Sequence, residues 1–201
     1  PALHTMTLRR AVLVGIFGGL AFLVRPDLLL ITCVTALVMF LAARQATQRR
    51  NFFVFGFAMG ATLVVIAGLC WLYFGTPVPL PFFAKSTDLY GQYFEQGYTG
   101  VNRILLYEFL ADHFWMLAVI AVGYLLNRRR FMEGLTAFHY GLVMAGVSFA
   151  LYYLFFVTPI MGEAARFYYP LSAVLLVFVA HALNNLIATT RQVIQGVNKT
   201  L

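Results

Sequence analysis

Hydrophobic positions in this chain come in long unbroken runs rather than in one-sided stripes. Six runs stand out: 11–24, 28–43, 52–74, 104–126, 135–157 and 167–187. A helix that is apolar on every face has no side to offer water, so such runs predict membrane spans. Arg9 and Arg10 precede the first run, and Arg25, Pro26 and Asp27 separate it from the second. Arg44, Arg49 and Arg50 precede the third, and Arg128, Arg129 and Arg130 follow the fourth. Thr158 and Pro159 end or follow the fifth, and Arg191 and Lys199 lie beyond the sixth. The one long interruption is 75–103, polar and aromatic. The expected fold is an all-α, polytopic membrane helical bundle. It forms a single transmembrane domain over 1–201, with about six transmembrane helices and one long external loop.

Charge orients this bundle. If each run crosses once, ten of the fourteen Lys and Arg residues fall on one side. The excess of Lys and Arg marks that side as cytoplasmic, and both ends of the chain lie there. Asp27, Asp88, Glu95, Glu108, Asp112 and Glu163 fall on the opposite side, and only Glu133 joins the basic one. Reading 11–43 as one kinked helix would move Arg9 and Arg10 across and spoil the sorting. Trp71 and Trp115 flank the long loop, where an interfacial aromatic belt is expected.

Composition agrees with the pattern. The chain is 62% hydrophobic and 10% charged, a balance outside that of soluble domains. The net charge of +7 does not predict nucleic acid as a partner, because the cations sit in short clusters between apolar runs. Cys33 and Cys70 lie far apart inside apolar segments and read as small buried hydrophobes. The chain opens on Pro1 without an initiator Met or signal peptide, and a piece of a longer membrane protein is the expectation.

Two interruptions carry candidate chemistry. The segment FGTPVPLPFFAKST, from Phe74, has prolines at 77, 79 and 81, which forbid helix and extend the residues before them. A stiff apolar ribbon with few N–H donors suits a lipid surface, and Lys85 supplies a cation at its end. The bland reading is a connector between spans. The Arg25-Pro26-Asp27 corner joins two short runs of about 14 and 16 residues, roughly 21–24 Å against a ~30 Å hydrocarbon core. Charges at that depth are functional candidates, and a local Arg25–Asp27 pair is the structural alternative.

The remaining features read as architecture. Gly56 and Gly60, and the small residues around Gly141, Ala145 and Gly146, have helix-packing spacing. Glu108 and Asp112 share a helix face; interfacial solvation outweighs a divalent cation there, and His113 alone does not complete a metal site. His139 and His181 read as satisfied packing residues. No nucleophile triad, phosphate-binding glycine loop or zinc spacing is present, and no metal ligand is assigned.

The order GLAFLVRPDLLL, WLYFGTPVPLPFFAKS, EAARFYYPL resembles the middle and later part of the GT-C membrane glycosyltransferases, closest to bacterial arabinosyl- and mannosyltransferase-like members. The resemblance runs from Val12 to Pro170, and the proline loop is its most specific element. It implies a bacterial inner-membrane enzyme that moves a sugar from a polyprenyl-phosphate donor to a glycan or lipid acceptor on the outer face. By that analogy Arg25, Lys85 and Arg166 hold the donor phosphate. Asp27, Pro77, Pro79, Phe82 and Phe83 belong to the donor groove, with Tyr168 and Tyr169 stacking on sugar or lying at the interface. The family's catalytic base is a carboxylate in a first external loop that nothing here matches, so the base is unassigned. That part is expected to be missing or supplied by another chain. The alternatives are a transporter or flippase of lipid-linked sugars, or a non-catalytic membrane subunit.

Overall fold

The computed structural model describes residues 7–77, 98–156 and 168–200, and among them every regular element is a helix. In chain order these are α1 (Leu8–Val24), α2 (Leu28–Ala42), α3 (Ala46–Phe74) and α4 (Tyr98–Asp112). They are followed by α5 (Phe114–Leu126), α6 (Arg128–Glu133), α7 (Ala137–Phe156) and α8 (Pro170–Thr200).

Local chemistry sets most of these boundaries. Thr7 caps α1 by accepting from the Arg10 N–H at 3.4 Å. Pro26 disfavours helix at the residue before it, and Arg25 accordingly sits at φ −152°, ψ 112°, ending α1. Helix α3 ends at Gly75, whose φ of 73° is the left-handed conformation that glycine adopts without a side-chain penalty. The Gly75 N–H closes the last turn on the Trp71 carbonyl at 2.9 Å, and Pro77 then bars continuation.

Small residues set the helix pairing. A Cβ on Gly15 would stand 2.5 Å from the Phe55 carbonyl oxygen, and one on Gly19 2.7 Å from Thr62 Cβ. Helices α1 and α3 therefore touch backbone to backbone, and they run in the same direction. Gly141 of α7 meets Thr35 of α2, and Gly123 of α5 meets Ala182 of α8. Close approach through glycine is how helices associate where lipid supplies no hydrophobic drive. By contrast, a Cβ on Gly56 or Gly60 would meet nothing within 4 Å, so that pair, read from its spacing as packing, faces outward here.

The contacts also fix direction. Asp27 meets Tyr153 while Thr35 meets Gly141, so α2 and α7 are antiparallel. Gly146 lies near Leu171 and Val174, and His139 near Phe178 and His181, so α7 and α8 are antiparallel too. The 25–27 corner, the end of α4, the end of α7 and the start of α8 thus gather at one end of the bundle. The segment 127–134 and the later turns of α8 gather at the other.

Large apolar side chains cover the outside. Phe57, Val64, Leu72 and Tyr73 on α3 are among the most exposed, and Trp71 and Trp115 also face outward. This inverted surface is that of a membrane protein, with lipid as the solvent. Among the described residues three helices are long and apolar enough to cross: Ala46–Phe74, Ala137–Phe155 and Pro170–Gln192. The run 104–126, expected as one span, is instead broken at His113 into two helices bent by 63°, and counting them as one crossing gives four. Helix α2 is apolar but has 15 residues, and α1 has 17, about 23 and 26 Å at 1.5 Å per residue.

Candidate functional site

At the corner between the first two apolar runs, opposite charges meet. Pro26 turns the chain between α1 and α2, and the turn is closed by Leu28 N–H on the Arg25 carbonyl at 3.0 Å. Arg25 and Asp27 then project together. Arg25 Nη2 donates to Asp27 Oδ2 at 2.7 Å, and Nε donates to Oδ1 at 3.2 Å. This two-pronged pairing is the arrangement in which a guanidinium binds carboxylate most strongly. The local alternative weighed for this corner, an Arg25–Asp27 pair, is therefore present.

The pair is tied to the far end of α7. The Tyr153 hydroxyl donates to Asp27 Oδ2 and accepts from Arg25 Nη2 at 3.4 Å. One phenol thereby serves both charges. Burial works against the guanidinium charge, but Asp27 and Tyr153 outweigh it and hold Arg25 above its ordinary value. The Arg25 side chain remains 28% exposed while that of Asp27 is 10% exposed. The cation is thus the reachable member of the pair.

Beneath the corner lies an aromatic floor. Leu105, Phe109, Phe149, Tyr153 and Tyr168 form one buried cluster. Tyr168, expected along a donor groove, is 1% exposed, with its ring against Phe109 and Tyr153. Burial pushes its hydroxyl up to about 12. Tyr169 beside it is 46% exposed, and its ring centroid lies 6.1 Å from that of His113.

His113 explains how the broken span is held. Its Nδ1 lies 2.8 Å from the Phe109 carbonyl, one turn back, and its Nε2 lies 2.8 Å from Ser172 Oγ on α8. A carbonyl only accepts, so Nδ1 carries a proton, and in the neutral ring Nε2 then accepts from the serine hydroxyl. The ring also stacks on Phe109 at 4.2 Å. The bend is therefore pinned to the first turn of α8, next to the aromatic floor.

Of the residues expected in the donor site, Arg25, Asp27, Pro77, Tyr168 and Tyr169 fall within the described structure. Arg25, Asp27 and Tyr168 meet around Tyr153, whereas Pro77 lies exposed beyond the end of α3. Pro79, Phe82, Phe83, Lys85 and Arg166 lie outside the described residues. Glu108 and Asp112 are both exposed on α4. No group of three His, Cys, Asp or Glu with metal-site geometry occurs among the described residues. Sequence reading missed Tyr153 and Ser172, each a polar side chain within an apolar run, and that polarity was the available signal. In comparison with known proteins, no family model, no curated protein and no solved structure matches this chain.

Proposed function

We propose that this chain is the membrane part of a GT-C-type glycosyltransferase that uses a polyprenyl-phosphate sugar, with Arg25 as a cation for the donor phosphate. The reading rests on the motif resemblance, and one observation carries it into three dimensions. Arg25 is a partly exposed guanidinium fixed by Asp27 and Tyr153 at the end of the apolar bundle. A cation already oriented by its neighbours loses little freedom when it meets an anion, and fixed charge is what a leaving phosphate needs. Lys85 and Arg166 are proposed to reach the same phosphate. In this reading six helices cross a bacterial inner membrane, 75–103 lies on the outer face, and both ends of the chain are cytoplasmic. The alternating directions of α1, α2, α3, α5, α7 and α8 support that count.

The test is binding of a polyprenyl phosphate to the purified chain and to Arg25→Ala, Arg25→Lys, Lys85→Ala and Arg166→Ala. Each loss is expected to weaken binding by about 1–3 kcal/mol, the scale of a charge-assisted hydrogen bond. Arg25→Lys also weakens it, because the flat fork is lost. Unchanged affinity in folded variants, with only stability lowered, removes Arg25 from the donor site. It favours a non-catalytic membrane subunit, a reading that the internal Arg25–Asp27 pair already suits.

A transporter or flippase of lipid-linked sugars is the second reading, and the 63° break at His113 favours it. Broken helices at membrane depth are the usual means of forming a transport site. Movement of a lipid-linked sugar between leaflets of a reconstituted vesicle, without sugar transfer, would select it.

A further inference from the structure

The basic end of the bundle holds a second feature. Helix α5 ends at Leu126 and the apolar part of α8 ends at Gln192, and between these two ends lies an open groove of about 390 Å³. It is lined by Asn127, Arg129, Arg130, Glu133 and Gln192. Asn185 fixes the two helix ends together, donating to the Gly123 carbonyl at 2.8 Å and to the Asn127 carbonyl at 3.4 Å. The groove therefore opens where two membrane helices leave the hydrocarbon, at headgroup level.

Its charges are unevenly satisfied. Arg129 is paired with Glu133 at 2.8 Å, and both are well exposed. Arg128 lies 5.8 Å from the centre of the Tyr124 ring. Arg130 is half-buried, its backbone N–H is capped by Asn127 Oδ1 at 3.1 Å, and no hydrogen bond or ion pair engages its guanidinium among the described residues. A half-buried cation without a protein partner calls for an anion, and Arg suits phosphate through paired donors. The side chains of Asn127 and Gln192 add neutral polar groups beside it. Arg128 and Arg191 adjoin lining residues in sequence, so the charge of these segments is net positive despite Glu133.

We infer that this groove binds the headgroup of an anionic phospholipid from the leaflet on the basic side of the protein. The phosphate lies on Arg130, the acyl chains run down the exposed apolar faces of α5 and α8, and Glu133 disfavours the anion while withholding Arg129 from it. The inference is independent of the donor site, which lies at the opposite end of the bundle. General positive-inside charge accounts for a basic side, but not for a groove with one unpaired, half-buried Arg.

The experiment measures lipid retained by the purified full chain in detergent, by native mass spectrometry, with phosphatidylglycerol or phosphatidylcholine as the probe. Phosphatidylglycerol is expected to be retained in preference, and Arg130→Gln to cut its retention about tenfold, the equivalent of about 1.4 kcal/mol. Glu133→Gln is expected to raise retention, since it removes a like charge and releases Arg129. Arg10→Gln and Arg50→Gln, on the basic side but outside the groove, leave it unchanged. Equal retention of phosphatidylcholine, an equal loss in Arg10→Gln, or a fall in Glu133→Gln would overturn the inference. Competition by inorganic phosphate, at matched ionic strength, as effective as competition by free phosphatidylglycerol would also overturn it, because the anion would then not be a lipid.

Discussion

The Tyr153 hydroxyl donates to Asp27 across 126 residues of sequence, a polar link that ties the α1–α2 corner to α7. The acceptor is charged, the donor sits in a buried aromatic cluster, and water has little access to replace the bond. Tyr153→Phe removes the hydroxyl and leaves the ring. It is expected to destabilise the protein by about 1.5–3 kcal/mol, the range for hydrogen bonds to charged groups. Asp27→Asn should cost a similar amount, and the double variant clearly less than the sum. Thermal unfolding of all three in one detergent measures the coupling, and strict additivity would mean the bond contributes nothing.

Helix packing gives a second expectation with an internal control. A Cβ on Gly15 collides with backbone, which cannot swing aside as a flexible side chain can. Gly15→Leu is expected to cost about 1–3 kcal/mol through overpacking between α1 and α3. Gly56→Leu, with open space around the glycine, should be near neutral. The same melting experiment separates the two, and equal damage at both positions would place the tight interface wrongly.

Pro26 and Gly75 ended helices where their backbone preferences require it, so those boundaries were legible. The break at His113 was not. Neither proline nor glycine stands there, and Asp112 and His113 carry no backbone preference that requires a break. The ring is held by Ser172, 59 residues away, so the cause lies in tertiary contact. Tyr152 and Tyr153 are adjacent and chemically identical, and only the rotation of α7 decides which one reaches Asp27. Glycine spacing misled for the same reason. Gly56 and Gly60 share the spacing of Gly15 and Gly19, but only the second pair has a helix opposite it. The Arg25–Asp27 pair was legible as an alternative because the two charges flank one proline between apolar runs, where an unpaired charge is costly.

Alkaline titration should report on Tyr168. Its ordinary value is about 10, and burial raises it to about 12 in the folded chain. The neutral phenol is favoured by folding, so the contribution is fully present below pH 10. It is lost as pH rises toward 12, where the unfolded chain ionises first. The melting temperature of the parent chain should therefore fall more steeply between pH 10 and 12 than that of Tyr168→Phe. Parallel curves for the two over that interval would show that the residue does not titrate with folding.

The final prediction fixes which way the bundle sits, and both proposed sites depend on it. In a background with Cys33 and Cys70 replaced, single cysteines are placed at Asp112 and Asp88, and others at Gln48 and Arg129. Asp112 lies at the α4–α5 break, at the same end as Arg25, whereas Arg129 lines the lipid groove at the other end. In the proposed topology the Arg residues of 44–50 and 128–130 put that second end in the cytoplasm. An impermeant thiol reagent added to intact cells should therefore modify Cys at 112 and 88 and spare Cys at 48 and 129 until the cells are opened. The reverse pattern would put Arg25 on the cytoplasmic face, which rules out transfer of a sugar on the outer surface. It would leave the lipid groove intact but move it to the outer leaflet. Labelling of 112 and 129 from the same side would contradict the helix directions themselves, since α5 runs from one end of the bundle to the other between those two positions.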